Sequence, residues 1–213
     1  MIPFEEAIKT VLSRAEPFPP ETLDLMDTPG RILAEDILSD MDMPPFNKSA
    51  MDGYACREQD ISSPLEVLEI IAAGIMPRFK ITPGTCSKIM TGAPVPEGAD
   101  CVIKVEDTEE LADKRIRFLG EKTRSNISYS GEDVRKGEKL LASGTRISPA
   151  EIAVLASAGY ARVKVFRQVM VGIASTGNEL YEPGITLPEG SIRDSNSYQL
   201  EAQARETGMR TMN

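Results

Sequence analysis

The sequence predicts a mixed α/β protein with more than one domain, and three patterns along the chain support this fold class. An apolar stripe at helical spacing occupies the N-terminus, short runs of β-forming residues fill residues 49–139, and a strand–turn–helix–strand pattern begins at Val169. With 213 residues, 41% hydrophobic and 27% charged, the chain is long enough to bury a core as one large or two small domains.

The first element is a helix predicted over residues 3–14. Pro3 suits the first helical position and two glutamates follow it at the positive end of the helix dipole. The apolar stripe of this helix consists of Phe4, Ile8, Val11 and Leu12. A short strand is predicted over residues 21–25 and a helical turn over residues 30–34. The proline-rich residues 40–47 predict a boundary.

The middle of the chain has the pattern of a compact β module. Strands are predicted at residues 67–72, 86–90, 101–105 and 115–118, where β-branched and other apolar residues concentrate. Proline and glycine residues separate these runs and mark turns. Many short strands with frequent turns favour a barrel-like arrangement.

A second helix is predicted over residues 149–158 because both of its ends carry specific signals. Ser148 is placed to cap it, Pro149 suits its first position, and Glu151 completes a capping box. Gly159 suits the left-handed position after the last turn. Residues 163–166 then alternate as an edge strand does.

The last part of the sequence predicts the opening of a βαβ unit. Residues 169–174 form an almost continuous apolar run, typical of a buried parallel strand. Asp194 or Ser195 can cap a helix that extends through Arg205, and a second strand follows from Met209. The pattern indicates the start of a third domain, and a mobile tail is the alternative.

Composition and charge exclude several classes of function. The net charge of −9 and the absence of a basic cluster argue against nucleic-acid binding, and no apolar run approaches the length of a membrane span. The N-terminus lacks the pattern of a signal peptide, so a cytoplasmic location is expected. Cys56, Cys86 and Cys101 form no C-x-x-C pair, which predicts buried, reduced thiols rather than a zinc or redox site.

The sequence contains no histidine, so any chemistry must use carboxylates, hydroxyls, amides and cations. Four segments, residues 49–55, 90–94, 131–133 and 175–180, each place an oxygen-bearing side chain within two residues of a glycine. Each has an ordinary structural interpretation, because such residues also form Asx turns, cap strand ends or lie as solvated charges in turns. Only Glu179 follows a strand predicted to end at a ligand-binding sheet edge.

If Asp52, Asp133 and Glu179 converge, their charges need compensation. Two carboxylates about 4 Å apart repel by about 4 kcal/mol at an effective dielectric constant of about 20. A bound cation relieves this repulsion, and Mg²⁺ prefers such oxygen ligands. The sequence has no Gly-x-x-x-x-Gly-Lys-Ser/Thr segment, which excludes a P-loop nucleotide site.

Together, these segments resemble the molybdopterin molybdenumtransferases, the MoeA family that includes the gephyrin E domain. The resemblance extends from the first helix to the last residue. It rests on Pro45-Phe46, Ser-Ala-Met-Asp-Gly-Tyr-Ala at 49–55, Ile-Met-Thr-Gly-Ala-Pro-Val-Pro-Glu-Gly-Ala-Asp at 89–100, Gly-Glu-Asp at 131–133, Gly-Thr at 144–145 and Ser-Thr-Gly-Asn-Glu-Leu at 175–180.

The resemblance implies a domain organisation. Residues 1–43 and 140–168 would form an elongated, discontinuous α/β domain, with residues 44–139 inserted as the barrel-like β module. Residues 169–213 would begin a parallel α/β domain of the molybdopterin-binding type. Family members are longer than this chain, so the chain alone is expected to be inactive.

The resemblance also implies a function in molybdenum cofactor biosynthesis. Family members insert molybdenum from molybdate into adenylylated molybdopterin (molybdopterin-AMP) and release AMP, assisted by Mg²⁺, in a homodimer whose cleft joins the β module of one subunit to the α/β domain of the other. The implied catalytic residues are Asp52, Thr91, Asp133 and Glu179, and Asp133 and Glu179 would position the metal. The implied substrate-binding residues are Ser49, Met51, Gly53, Gly92, Ser175, Thr176 and Gly177.

One departure and three alternatives accompany this interpretation. Residues 126–130 are neutral where the family often carries basic residues, and Lys48 or Arg124 are candidates to replace them. A non-catalytic scaffold of the gephyrin type, a tungsten-selective insertion enzyme and a generic Mg²⁺-dependent phosphohydrolase are the alternatives. Contacts with other molybdenum-cofactor enzymes are expected to be transient.

Overall fold

The computed structural model describes residues 2–212, which form three α-helices and sixteen short strands. The helices are α1 (Phe4–Leu12), α2 (Pro149–Ser157) and α3 (Asn196–Glu206). The strands are β1 (Pro20–Asp24), β2 (Ile37–Leu38), β3 (Lys48–Ser49), β4 (Gly53–Cys56), β5 (Leu65–Ile71), β6 (Thr85–Ile89), β7 (Cys101–Lys104), β8 (Thr108–Leu111), β9 (Arg115–Phe118), β10 (Ile127–Ser128), β11 (Lys139–Leu141), β12 (Arg162–Phe166), β13 (Met170–Gly172), β14 (Leu180–Tyr181), β15 (Ile192–Arg193) and β16 (Arg210–Met212).

The chain divides into two compact units. Unit 1 consists of Met1–Ile37 and Lys139–Asn213, and unit 2 consists of Leu38–Glu138. The three-part domain division that the sequence and the resemblance suggest stays a prediction.

Unit 2 is built on one six-stranded sheet with the order β7-β4-β6-β5-β9-β8. The sheet curls into a half-barrel, which fits the barrel-like module expected from the sequence. All four residues of β4 are buried. Alternate side chains of a strand point to opposite faces of the sheet, so both faces are covered here. Tyr54 and Cys56 pack in one apolar cluster, and Ala55 packs in a second.

Unit 1 has its core between helix α2 and the strands around it. β1 pairs with β12 in an antiparallel arrangement, and β11 pairs with β2. The buried side chains of this core belong to Leu33, Ile37, Ile147, Leu155, Ala158, Val163 and Val165. The predicted capping box of α2 is confirmed, since Ser148 and Glu151 each accept a hydrogen bond from the opposite backbone. Gly159 has φ +80°, as expected after the last turn.

The end of the chain forms the predicted βαβ arrangement, in which β13 and β16 are parallel and α3 connects them. The expectation of a buried strand over residues 169–174 is wrong, however. The strand is only three residues long, and Met170 is 54% exposed. Within residues 2–212 this sheet has two strands, so its apolar side chains have few neighbours to pack against.

The helical turn predicted over residues 30–34 is also wrong, because Gly30 ends a turn and the next residues form β-bridges. Ile32 forms an isolated antiparallel bridge with Arg146, and Leu33 forms one with Val165. The buried Leu33 also donates its amide to the carbonyl of Thr145 at 2.9 Å. These long-range hydrogen bonds replace the local bonds that a helical turn requires.

The three cysteines are free and buried, as predicted from their spacing. Cys56 and Cys101 face each other on β4 and β7, with their sulfur atoms 3.6 Å apart. No helix formed by residues 2–212 is both long enough and apolar enough to cross a bilayer.

Gly53 has a structural reason to be glycine, and this generates a stability prediction. A Cβ atom on Gly53 would lie 2.0 Å from the carbonyl oxygen of Ile103, which belongs to the backbone of β7. The change Gly53→Ala must therefore push β4 and the edge strand β7 apart. We expect it to lower the free energy of unfolding by about 1–3 kcal/mol, measured by urea denaturation.

The matched control is Gly172→Ala in β13, where an added Cβ meets no atom within 4 Å. We expect this variant to be neutral, or more stable by less than about 1 kcal/mol, because alanine restricts the unfolded chain. Equal stability of the two variants would contradict the close approach of β7 to Gly53.

Candidate functional site

Asp52 and Thr91 are the two predicted catalytic residues that the structure joins directly, among residues 2–212. Asp52 precedes β4 and Thr91 follows β6, 39 residues later. The Oδ1 atom of Asp52 accepts two hydrogen bonds from Thr91, one from the backbone amide and one from the hydroxyl, each 2.7 Å long. The two residues form a single polar group on the surface of unit 2.

Backbone pairing around Ser49 fixes this contact. The amide of Gly92 donates to the carbonyl of Ser49 at 2.8 Å, and the amide of Ser49 donates to the carbonyl of Ala93 at 2.9 Å. The Ser49 side chain is buried and its hydroxyl donates to the carbonyl of Met51 at 2.5 Å. These bonds hold the segment before β4 against the segment after β6. They leave little freedom in the position of Asp52.

Hydrogen bonding also stabilises the ionised form of Asp52. The Thr91 amide first, and then the Thr91 hydroxyl, hold the pKa of the Asp52 carboxyl below its ordinary value, because both stabilise the carboxylate. Asp52 is therefore ionised at neutral pH. Asp52 is exposed, and among residues 2–212 no group donates a hydrogen bond to its second oxygen, Oδ2, so the lone pairs of this oxygen are available.

Asp133 lies in a separate turn of unit 2. The amide of Gly131, whose φ is +69°, donates to the carbonyl of Pro44 at 3.0 Å, and the amide of Asp133 donates to that of Met43 at 3.0 Å. The neighbouring Glu132 accepts a hydrogen bond from the amide of Tyr129 at 2.8 Å and so stabilises its own turn. The Asp133 carboxylate makes no hydrogen bond to any described residue. Of the two acids, Asp133 is the one free to bind a ligand.

Glu179 lies in unit 1, in the irregular segment between β13 and β14. Its carboxylate folds over Gly177, where an added Cβ would come within 2.7 and 2.8 Å of the two carboxylate oxygens. Glycine at this position therefore gives the Glu179 side chain its space. Thr176, the residue before Gly177, is exposed.

Asp194 is an acid near this segment that sequence reasoning treated only as a possible helix cap. It accepts hydrogen bonds from the amide and the hydroxyl of Ser197, at 3.1 and 2.5 Å. These bonds lower the pKa of Asp194, and the side chain of Ser175 contributes further to the lowering. Asp194 therefore lies beside a predicted binding residue. Its signal in the sequence was its position just before α3, which capping alone already explained.

The remaining predicted binding residues have different structural roles. Gly53 is required by the close approach of β7, and Gly92 adopts φ +81° in the turn after β6. Met51 is 39% exposed beside Asp52, where its side chain can contact a ligand.

The arrangement suits binding through oxygen atoms better than it suits a preformed metal centre. In the part of the chain that the structure describes, no three Cys, Asp or Glu side chains come together to hold a metal ion. The ionised Asp52 can accept hydrogen bonds from N–H or O–H donors of a ligand. Its second oxygen, like those of Asp133 and Glu179, can also serve as one hard ligand of a cation shared with substrate groups.

Comparisons with known proteins agree on one family. The family model described as "MoeA N-terminal region (domain I and II)" matches residues 2–159. The molybdopterin molybdenumtransferase of Bacillus subtilis (strain 168) is 39% identical over 218 aligned positions, covering 97% of this chain and 51% of the relative. The protein of the same name from Staphylococcus aureus (strain N315) is 37% identical over 215 positions, covering 98% and 51%.

Solved structures give the same result. A crystal structure of the molybdopterin biosynthesis MoeA protein from Pyrococcus horikoshii OT3 is 34% identical with a TM-score of 0.90, covering 100% of this chain and 59% of that protein. A second structure of the P. horikoshii protein is 35% identical, has a TM-score of 0.86 and covers 100% and 56%. The chain spans about half the length of the curated relatives it matches.

The contact between Asp52 and Thr91 predicts a measurable pKa change. Thr91→Val removes the hydroxyl and keeps the backbone amide, so one of the two hydrogen bonds that stabilise the carboxylate disappears. We expect the pKa of Asp52 to rise toward its ordinary value, measured by carbon-detected NMR titration of the Asp side chains. Thr123→Val removes a hydroxyl that bonds only to the Arg124 carbonyl and Asn126, and it is the control. An unchanged Asp52 pKa in Thr91→Val would contradict the hydroxyl contact.

Proposed function

Because this chain belongs to the family of the MoeA N-terminal region, we propose that it is part of a transferase of molybdenum cofactor biosynthesis. The substrates are molybdopterin-AMP and molybdate, and the reaction transfers molybdenum to the pterin and releases AMP. The observation that carries this proposal is the ionised Asp52, held by Thr91 with one oxygen free for a ligand.

Asp52 and Thr91 orient a substrate in this proposal. A carboxylate accepts hydrogen bonds from the N–H donors of a pterin and repels the molybdate anion, unless a cation lies between them. Asp52 therefore suits the pterin more directly than molybdate. Thr91 keeps the carboxylate ionised and fixes its orientation, which lowers the entropy cost of positioning the substrate.

Magnesium is the cation that the available ligands fit. Mg²⁺ is usually held by one or two carboxylates, several waters and substrate phosphates, so it needs no preformed cluster of three acids. Asp133, whose side chain is free of hydrogen bonds, and Glu179 would supply these carboxylates. When bound, Mg²⁺ supplies positive charge against the phosphate groups of the substrate. Ser175, Thr176 and Gly177 would border the same substrate.

A homodimer completes the proposal, since Asp52 of one protomer would face the partner's Glu179. Helix α1 supports this assembly, because none of its residues is buried and its large apolar side chains have no cover. Phe4 is 75% exposed, Val11 69% and Leu12 67%. Such a continuous apolar face on a surface helix is typical of a protein–protein interface. A second copy of this chain is the proposed occupant, with contacts to other molybdenum-cofactor enzymes transient.

The expected cytoplasmic location belongs to the same proposal. All three cysteines are free thiols, which is the usual state in a reducing compartment. The excess of 33 acidic over 24 basic residues supports a small-molecule substrate rather than nucleic acid.

Removing the charge of Asp52 tests the catalytic proposal. In the complete protein, Asp52→Asn keeps the shape of the side chain but removes the negative charge that the substrate donors need. We expect molybdenum insertion, followed as AMP release from molybdopterin-AMP in the presence of molybdate, to fall by about 100-fold or more. Activity close to that of the unchanged protein would overturn the role of Asp52.

Asp100→Asn is the matched control, because Asp100 also accepts a backbone hydrogen bond, from the amide of Glu58 at 2.6 Å. We expect this variant to keep its activity within about twofold, since its role is local. A gephyrin-type scaffold without catalysis predicts that neither variant, nor the unchanged protein, releases AMP.

The exposed face of α1 tests the homodimer. The double variant Phe4→Ser and Val11→Ser removes two large apolar side chains that a partner would cover. We expect the dimer to dissociate at least about tenfold more readily, measured by sedimentation equilibrium, because such burial contributes about 1.5–3 kcal/mol per side chain. Met26→Ser changes an equally exposed apolar residue outside α1 and is expected to leave the dimer intact. An unaffected dimer in the double variant would exclude α1 from the interface.

A further inference from the structure

Two adjoining cavities in unit 1 are lined by four arginines. The first, of about 370 Å³, is lined by Arg31, Arg146 and Arg167 together with Gln168. The second, of about 270 Å³, shares Arg31, Arg167 and Gln168 with the first and adds Arg210. These arginines come from four separate segments of the chain, so no local sequence motif predicts that they lie together.

Backbone hydrogen bonds fix the segments that carry these arginines. The carbonyl of Arg31 accepts from the amide of Ile147 at 2.8 Å, next to Arg146. The amide of Arg167 donates to the carbonyl of Pro19 at 3.1 Å, and the amide of Arg210 donates to that of Val169 at 2.9 Å. The four Cα positions are therefore set by the fold, whatever ligand is present.

The charges around the cavities are unbalanced. Glu21 is the one acid among their lining residues, and it is already paired with Arg31, whose guanidinium also donates to the carbonyl of Phe166 at 2.8 Å. Within residues 2–212, the side chains of Arg146, Arg167 and Arg210 make no ion pair. In a chain with a net charge of −9, three unpaired arginines at one place are a local excess of positive charge.

The first cavity also has an apolar wall. Ile32, Phe166, Val169 and Met209 line it beside the arginines. A ligand that fills both cavities needs an apolar body next to these side chains and an anionic group next to the guanidinium groups. Guanidinium forks match the oxygens of a phosphate group better than they match a single point charge.

We propose that these cavities bind a small organic phosphate, with its phosphate group on Arg167 and Arg210 and its apolar body against Phe166 and Met209. Arg31 is the structural anchor of the site, because its ion pair with Glu21 holds it in place. Arg146 adds positive charge to the lining of the first cavity. This site uses none of the residues assigned to molybdenum insertion, so its test is independent of that proposal.

Calorimetric titration of the purified protein with two probes, inorganic phosphate and phenyl phosphate, tests the site. We expect phenyl phosphate to bind about tenfold more tightly than inorganic phosphate, because its ring buries apolar area that the free anion lacks. Arg167→Gln and Arg210→Gln should each weaken the binding of phenyl phosphate about tenfold, as expected for the loss of a charged hydrogen bond. Arg167→Lys should recover only part of this loss, because lysine keeps the charge but not the planar fork.

The matched control is Arg162→Gln, which removes the same charge from an exposed arginine of unit 1 that pairs with Asp24. We expect phenyl phosphate to bind this variant within about twofold of the unchanged protein. An equal loss in Arg162→Gln would overturn the proposal, as would phenyl phosphate that binds no more tightly than inorganic phosphate. Tighter binding of a tetra-aspartate peptide than of phenyl phosphate would also overturn it, in favour of an acidic protein segment.

Discussion

Strand β4 forms hydrogen bonds on both sides, with β6 and with β7, and all four of its residues are buried. The pairing of β4 with β6 places Asp52, just before β4, next to Thr91, just after β6. It also contributes to both apolar clusters, through Tyr54 and Ala55. The backbone of β7 lies so close to Gly53 that no larger residue fits. The core of unit 2 and the position of its candidate site therefore share one constraint.

Charge is distributed in opposite ways at the two candidate sites. Around Asp52 the fold supplies two hydrogen-bond donors, both from Thr91, that stabilise the carboxylate, so the site can accept donors or a metal ion. Around Arg167 and Arg210 the one lining acid, Glu21, is paired with Arg31, so the remaining guanidinium groups favour an anionic ligand. This second site could not be predicted from the net charge of −9, because net charge does not report where basic residues cluster in the fold.

Local signals in the sequence predicted the elements that depend on local bonds. The capping box of α2 and the alternation in β12 were correct, because the residues that decide them lie within a few positions of each other. The prediction for residues 30–34 was wrong because their hydrogen bonds go to Thr145, Lys164 and Phe166, more than one hundred positions away. The exposure of Met170 could not be predicted either, since burial depends on neighbouring strands rather than on the strand itself.

For the candidate site, the sequence predicted individual residues but not the contacts between them. Motifs predicted Asp52 and Thr91 as candidate site residues, yet their direct hydrogen bonds follow only from the pairing of β4 with β6. The structure adds a physical reason to favour Asp133 over its neighbour Glu132, because Glu132 accepts a hydrogen bond within its own turn. The arginine cavities had no sequence signal at all, because four segments meet there through tertiary contacts.

The interrupted path of the chain through unit 1 has a consequence for folding during synthesis. Unit 2 is one continuous stretch, Leu38–Glu138, so all of its strands leave the ribosome before unit 1 can close. Unit 1 must wait, because β1 finds its partner only in β12, where Pro20 aligns with Phe166. Closing so long a loop is costly and slow when the intervening chain is unfolded. Early folding of unit 2 shortens this search, so the inserted unit serves as a folding aid for the unit that surrounds it in sequence.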